Sequence, residues 1–390
     1  MNFGPFALFR ELRRDLAPPP GRPLVVVYRR DSSADARRLP PLEAPRPRVS
    51  LVATVRNEAA SIRGWFAAIE GMTQHPDEVV VVDGGSTDGT VAILEELARK
   101  SLLRVTVLSA PGANIARGRN LAIAQAVHPV IACTDAGCLV DRDWLEAITG
   151  PFSDDPAVDV VAGYYRIRGE SAMARVFSAW FAPVASGIQP DRFLPSARSV
   201  AFRRSLWQVV GGFPEWLSLT AEDTLYALEL RRHARTWAFV PDAVVEWLLA
   251  TRLGPLFRQV RAYARGDGEA GLSVGEYWWR LRLAVQQVVT ALAALSSAAA
   301  GAVFGGGHFW VAALLCSLWL ALRIRPPASL RLHSRGVVDR VRVYWAATAV
   351  NLVMIWAMAI GFVEGVRRRL GKPAPPQQPA TPAEPEPQPF

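Results

Sequence analysis

Four short apolar runs recur through the first half of the chain and constrain its fold more than any other feature. They are VSLVATV at 49–55, DEVVVVD at 77–83, LLRVTVL at 102–108 and PVIACTD at 129–135. Each is rich in β-branched residues and nearly continuous in apolar character, the pattern of a strand buried on both faces. Between them the spacing turns helical, notably from Thr90 to Arg99 and from Asn114 to Val127. This alternation predicts βα units and a mostly parallel, doubly wound sheet. Ligands of such sheets bind outside the carboxyl ends of the strands. Attention therefore falls on the polar residues that follow each run: Thr54 to Glu58, Asp83 to Gly89, and Asp135 to Cys138.

The last third of the chain obeys a different rule. Residues 283 to 322 contain no Asp, Glu, Lys or Arg, and Gly305-Gly306-Gly307 interrupts them near the middle. One membrane span needs about twenty residues, so this stretch predicts a helical hairpin in lipid. Arg323 to Arg342 follows with six arginines and one Asp, and then a second uncharged stretch runs from Val343 to Val363. The positive-inside rule assigns the basic loop to the cytosol. The stretch 343–363 is flanked on both sides by arginines, so spanning and interfacial placements both stay open, as does a buried soluble bundle. The tail from Lys372 is rich in Pro, Gln and Glu, a composition that cannot build a core.

Charge and cysteine usage narrow the partners. The net charge of +9 arises from 44 Lys+Arg against 35 Asp+Glu, with many arginines beside the apolar C-terminal stretches. That placement points to anionic lipid headgroups. Zinc-finger spacing, a helix-turn-helix signal and aromatic-studded basic strands are all missing from the sequence, so no nucleic-acid partner is expected. The three cysteines, Cys133, Cys138 and Cys316, make no disulfide framework. His128, Cys133 and Cys138 are close in sequence, but two buried thiols account for them better than a zinc site with three or four convergent ligands. The first twenty residues lack the sustained apolar core of a signal peptide and are charged from Arg10 onward, so the N-terminal domain is expected in the cytosol.

Several strand-end residues suit chemistry, and each also has a plainer reading. Asp83 in VVVVDGGSTDGT can accept hydrogen bonds from a base or ribose while its glycines let a ligand approach the backbone, or it can cap a glycine-rich turn. Asp135 ends an interior strand, where a carboxylate needs a cation or donors; a metal on a ligand diphosphate would supply one, and a helix cap is the alternative. Arg117, Arg119 and Asn120 can steady phosphates or form a solvated face. Glu222-Asp223 opens a periodic helix, where an acid serves either the helix dipole or general-base catalysis. Arg258, Gln259, Arg261 and Arg265 form a polar face that suits a helix on a bilayer surface.

In order, the segments VSLVATVRNEAASI, VVVVDGGSTDGT, ARGRNLAI, TDAGCLVDRDWL and GGFPE...AEDTLY resemble the family 2 glycosyltransferases, inverting enzymes with a GT-A nucleotide-diphospho-sugar fold. The resemblance covers roughly Arg48 to Gly268. It implies that Thr54 and Glu58 hold the nucleotide, that Asp83 recognises the base with Asp88 beside it, and that Arg119 and Asn120 lie near the phosphates. Asp135 matches the first acid of the Asp-x-Asp metal motif, which implies Mg²⁺ or Mn²⁺ there. Asp223, in Glu222-Asp223, matches the catalytic base. Two departures stand out. Gly137 occupies the place of the second acid, leaving Asp141 or another residue to complete a metal site. The Gln-x-x-Arg-Trp motif of processive synthases is missing, since Gln259 is followed by Val260, Arg261, Ala262 and Tyr263.

The expected organisation is an N-terminal extension over 1–47, a GT-A domain over 48–268, membrane helices over 269–365 with a basic cytosolic loop at 323–342, and a disordered tail over 366–390. The expected activity is inverting sugar transfer from a nucleotide-diphospho-sugar to a lipid-linked or membrane-near acceptor, at the cytosolic face of the inner membrane and in contact with its lipids. The rival readings are a non-catalytic nucleotide-sugar-binding membrane scaffold and a channel or transporter. The uncharged spans carry no ionisable residue to mark a transport pathway.

Overall fold

The computed structural model describes residues 23–29, 37–38, 46–169, 171–182, 187–218, 220–247, 252–324 and 337–371. Expectations for residues 1–22 and for the tail from Lys372 lie outside these. Among the described residues the chain forms two compact units, one within Pro18–Arg166 and Ala185–Leu248, the other within Ile167–Val184 and Leu249–Gly371.

The first unit is built on a sheet. In chain order its elements are β1 (Leu24–Arg29), β2 (Arg37–Arg38), β3 (Val49–Val55), α1 (Ile62–Glu70), β4 (Glu78–Asp83), α2 (Thr90–Lys100), β5 (Val105–Ser109), α3 (Ile115–Gln125), β6 (Val130–Cys133), β7 (Cys138–Val140), α4 (Trp144–Asp154) and β8 (Val158–Ile167). Helix α5 (Ala172–Phe181) belongs to the second unit; the first resumes with β9 (Val200–Arg203), α6 (Arg204–Val210), α7 (Glu222–His233) and β10 (Thr236–Trp247). The strand order is β2-β1-β10-β8-β9-β6-β3-β4-β5, with β7 paired to β10. Strands β6, β3, β4 and β5 run parallel, as the βα alternation requires, while β9 is antiparallel to both β6 and β8.

All six residues of β4 are buried, and six of the seven in β3, which is why their sequences read as continuous apolar runs. Val52, Val80, Val82, Ile131, Phe202 and Trp237 pack in one core. The expected run 102–108 is displaced: the strand starts at Val105 and, as the edge of the sheet, is only half-buried. Strand β1, within the expected extension over 1–47, pairs in parallel with β10 from Leu24↔Thr236 to Val27↔Phe239.

The second unit contains α5 with α8 (Leu253–Ala270), α9 (Val274–Phe304), α10 (Gly307–Ile324) and α11 (Val337–Leu370). Helix α8 therefore groups with the helical unit, earlier than the expected boundary at 268. The break between α9 and α10 falls at Gly305, whose φ of 68° is cheap for glycine. Helix α11 begins inside the expected basic loop and continues through Arg367, Arg368 and Arg369, so residues 366–370 are helical and not part of a disordered tail. Arginines in a last turn are favoured by the helix dipole. Two helices, Val274–Phe304 and Val338–Leu370, are long and apolar enough to cross a membrane. Helix α9 leaves Val285, Val289, Leu292 and Leu295 exposed along its length.

Candidate active site

The loops after β3 and β4 interlock. Asn57, held at φ 58°, donates its amide to Ser86 Oγ at 2.8 Å and accepts from the Thr87 amide at 2.9 Å. Asp83 is buried, and its carboxylate accepts from the amides of Gly85 (2.9 Å) and Ser86 (3.0 Å) and from Ser86 Oγ (2.5 Å). The expected base-recognition residue thus shapes its own turn. Gly84 and Gly85 let this turn lie against the next loop: a Cβ on Gly84 would meet the Ala113 carbonyl oxygen at 3.2 Å, and Gly85 has φ +95°.

Asp88 is likewise committed within the loop. One oxygen accepts from the amide and hydroxyl of Thr90, the other from the Ala59 amide, and these bonds hold its carboxyl below the usual range. Glu58 accepts from the Ser61 hydroxyl at the start of α1, and its own amide donates to Thr90 Oγ1 at 2.8 Å. Thr54 packs against α3, where a Cβ on Gly118 would fall 2.7 Å from its methyl group. The side chains expected to grip a nucleotide therefore build the loops around its expected seat.

Charge converges on Arg119, which α3 carries into the interior with 4% exposure. Its two terminal nitrogens donate to Asp135 Oδ1 at 2.7 Å and to Glu222 Oε1 at 2.6 Å, joining the end of β6 to the start of α7. Burial alone would lower the pKa of this guanidinium, but Asp135, Glu222 and Asp223 raise it above the ordinary value. Burial pushes Glu222 up to about 7, with the charge of Asp223 adding to the shift and Arg119 opposing it. Glu222 Oε2 is buried without a hydrogen-bond partner. Asp223 is half-buried; it accepts from Ser196 Oγ at 3.1 Å and from the Thr224 amide at 2.9 Å. Ala221, at φ 73°, is a strained non-glycine residue at the turn that presents this acidic pair.

Asn120, expected near the phosphates, is tied to the turn after α6. It donates to the Phe213 carbonyl (2.9 Å) and to Glu215 Oε1 (2.8 Å), and accepts from the Phe213 amide (2.8 Å) and Trp207 Nε1 (3.1 Å). Its work is to pin the Gly211–Pro214 turn. Phe213 in turn stacks on Tyr226 of α7, with ring centroids 3.9 Å apart, and lies under the Arg119 guanidinium.

Arg198 was not legible as a site residue. The antiparallel register of β6 and β9 pairs Cys133 with Val200 and Ala132 with Ala201, so the turn before β9, which carries Arg198, lies at the carboxyl end of β6. Arg198 Nε is 3.8 Å from Asp135 Oδ2, and Arg198 Nη1 donates to Ser196 Oγ at 2.8 Å. The guanidinium lies 4.2 Å from the Trp247 ring centroid. The signal would have been the pairing of β9 against β6, which local sequence does not contain.

The expected metal fits these residues poorly. Arg119 and Arg198 lower the Asp135 pKa against the opposing effect of burial, so its charge is already matched by guanidinium groups on both oxygens. Unit charges 4 Å apart at an effective dielectric near 20 interact by about 4 kcal/mol, so a dication here would meet substantial repulsion. Gly137 provides no acid, and Asp141 pairs with Arg166 at 3.1 Å. Burial pushes Cys133 and Cys138 up to about 12, leaving them as protonated thiols, and His128 stands at the opposite end of β6. Among the described residues no group of three or more His, Cys, Asp or Glu could hold a metal ion.

A sheet with parallel β3, β4 and β6 and an acid-rich carboxyl end defines a nucleotide-binding α/β architecture. Over residues 50–197 the chain matches Glycosyl transferase family 2, and over residues 130–362 it matches Glycosyl transferase family group 2. The chain belongs to glycosyltransferase family 2, an inverting family with the GT-A fold. It is similar to the poly-β-1,6-N-acetyl-D-glucosamine synthase of Staphylococcus epidermidis, with 22% identity over 59% of this chain and 56% of that protein. It is also similar to the O-antigen chain rhamnosyltransferase RfbN of Salmonella typhimurium, with 25% identity over 51% of this chain and 65% of that protein. The chain thus spans less than two thirds of the length of either relative. Among solved structures it is similar to the mannosyltransferase PcManGT from Pyrobaculum calidifontis in complex with GDP-Man and Mn²⁺, at 20% identity over 94% of each chain and a TM-score of 0.45.

Proposed function

We propose that this chain transfers a sugar from a nucleotide-diphospho-sugar to the hydroxyl of a lipid-linked or membrane-near acceptor, with inversion at the anomeric carbon. The observation that carries the reading is the double ion pair of Arg119, which draws the carboxylate after β6 and the acidic pair opening α7 to one guanidinium. The loops after β3 and β4, with Thr54, Glu58, Asp83 and Asp88 as their framework, form the seat of the nucleotide. Gly84 and Gly85 offer it backbone in place of side chains.

Asp223 is the general base. Glu222 is buried against Arg119 and positions the turn, whereas Asp223 is half-buried and its carboxylate is oriented by Ser196 and the Thr224 amide. As the acceptor oxygen attacks the anomeric carbon, Asp223 takes its proton; the bond to the diphosphate breaks and its electron pair leaves with the phosphate oxygen. The divalent cation implied by resemblance has no role in these steps.

Membrane attachment is supported by the exposed valines and leucines of α9, each of which gains about 1.5–3 kcal/mol on leaving water. The arginines flanking the apolar stretches, among them Arg280, Arg282, Arg340 and Arg342, favour the cytosolic face of the inner membrane.

The test is Asp223→Asn in full-length, detergent-purified protein, assayed for nucleoside diphosphate release from a panel of nucleotide sugars with lipid extract as acceptor. Turnover should fall about 10²- to 10⁴-fold while donor affinity stays nearly constant. Unchanged turnover excludes Asp223 as base, and a folded protein that binds no donor favours the scaffold reading.

A further inference from the structure

We propose that Arg198 is a fixed cation for the departing diphosphate, and that this chain binds nucleoside diphosphate without a divalent metal; the inference rests on the glycosyl-transfer reading above. The developing problem of the reaction is negative charge. When the bond between the anomeric carbon and the β-phosphate oxygen breaks, its electron pair stays on that oxygen, while the proton of the acceptor hydroxyl goes to Asp223. A positive group already in place at the carboxyl end of β6 stabilises that charge with no reorganisation during the step.

The strand register puts Arg198 there. Asp135, two residues past the end of β6 and a match to the metal-binding acid, lies 3.8 Å from the Nε of Arg198, which sits in the turn leading into β9, the antiparallel neighbour of β6. The Arg198 side chain is 17% exposed and held on three sides: by Ser196 Oγ at 2.8 Å, by the Trp247 ring at 4.2 Å from its centroid, and by the Tyr165 ring at 5.7 Å. A guanidinium fixed in this way keeps its charge at any working pH and can meet phosphate oxygens through paired hydrogen bonds. The same Ser196 hydroxyl that accepts from Arg198 donates to Asp223, so the diphosphate cation and the acceptor base share one positioning residue.

The acidic side of the site agrees. A metal-dependent site gathers carboxylates, whereas here the second acid is Gly137, Asp141 is paired with Arg166, and Asp135 faces two arginines. Nothing steric among the described residues imposes glycine at 137: a Cβ there would have none of their heavy atoms within 4 Å, and the backbone is not in the left-handed region. The site therefore has room for the second acid and carries an arginine across from the first.

The experiment is calorimetric titration of the full-length, detergent-purified protein with UDP and GDP, first in EDTA and then in Mn²⁺. The diphosphate that binds should do so in EDTA with an affinity within about threefold of that in Mn²⁺, and Arg198→Gln should weaken it about tenfold or more, the loss of a charge-assisted pair. Glutamine removes the charge while keeping a polar side chain, and an unchanged thermal midpoint checks that the fold survives. Arg198→Lys, which keeps the charge but not the planar fork stacked on Trp247, should recover part of the affinity that Arg198→Gln loses. In the Gly137→Asp, Arg198→Gln double variant, Mn²⁺ should restore the binding that the single variant has lost. Binding by the wild type that requires Mn²⁺ overturns the inference while leaving the transfer reading intact, and so does unchanged EDTA affinity in Arg198→Gln. A folded wild-type protein that binds neither diphosphate in either buffer overturns the transfer reading and this inference with it.

Discussion

Arg119 Nη1 donates to Glu222 Oε1 at 2.6 Å across 103 residues of chain, and both side chains are almost wholly buried. The pair joins the two parts of the site that sequence can only see separately. Removing one member of such a pair strands the other charge, which costs about 3–5 kcal/mol. Arg119→Met should therefore lower the unfolding free energy of the catalytic unit by that order, read by urea unfolding. Arg119→Lys should recover part of the loss, because an ammonium cannot span Asp135 and Glu222 with the same planar fork.

The pH dependence follows from Glu222. Its folded pKa is pushed up to about 7 from an ordinary 4.5, chiefly by burial. Between these values the folded state binds more protons than the unfolded state, so the contribution of Glu222 to stability is full below about 4.5 and is lost as pH rises through about 7. Glu222→Gln removes that titration. Thermal midpoints of wild type and variant across this window should diverge in slope, with the wild type falling more steeply towards neutral pH; parallel curves would place the ionisation elsewhere.

The division between what sequence revealed and what it hid is physical. The runs at 49–55, 77–83 and 129–135 read correctly because parallel strands covered on both faces must be apolar throughout. Asp135 stood out because motif and strand end coincide, and Asp223 because motif and helix start coincide. Arg198 did not, since its role depends on β9 pairing antiparallel to β6. For Asp83, Asp88 and Asn120, turn geometry decides where the hydrogen bonds go, and local sequence does not contain it. Strand β1 was missed because its partner, β10, begins more than two hundred residues later. Charge counting located the apolar core of α11 but not its ends, because arginine is a good helix former outside lipid.

Asp83 offers a way to separate framework from ligand contact. Its carboxylate satisfies the amides of Gly85 and Ser86 and the Ser86 hydroxyl. Asp83→Ala leaves these donors without their acceptor, at about 1–3 kcal/mol for each one that stays buried. The nucleotide-free protein should therefore lose thermal stability as well as nucleotide affinity. A residue that touched ligand alone would lose affinity with an unchanged apo midpoint, so the two measurements together assign the role.

The helical unit makes its own prediction, from glycines where α8 meets α11. A Cβ on Gly365 would fall 2.1 Å from the Arg265 carbonyl oxygen, and one on Gly361 would fall 2.2 Å from that of Arg261. From the other helix, a Cβ on Gly268 would fall 2.5 Å from the Phe362 carbonyl oxygen. Small residues let helix backbones approach this closely, and here backbone atoms cannot rotate away as a flexible side chain would. The close approach also brings Arg261 to Glu364, while Tyr277 of the neighbouring α9 stacks on Phe362 at 4.5 Å. Gly365→Ala should force the helices apart and cost about 1–3 kcal/mol or more, seen as a lower thermal midpoint in detergent. Gly307→Ala is the matched control, because a Cβ there meets nothing within 4 Å; its effect should stay within about 0.5 kcal/mol. Equal midpoints for the two variants would mean that the α8 and α11 backbones are not in contact in the folded protein.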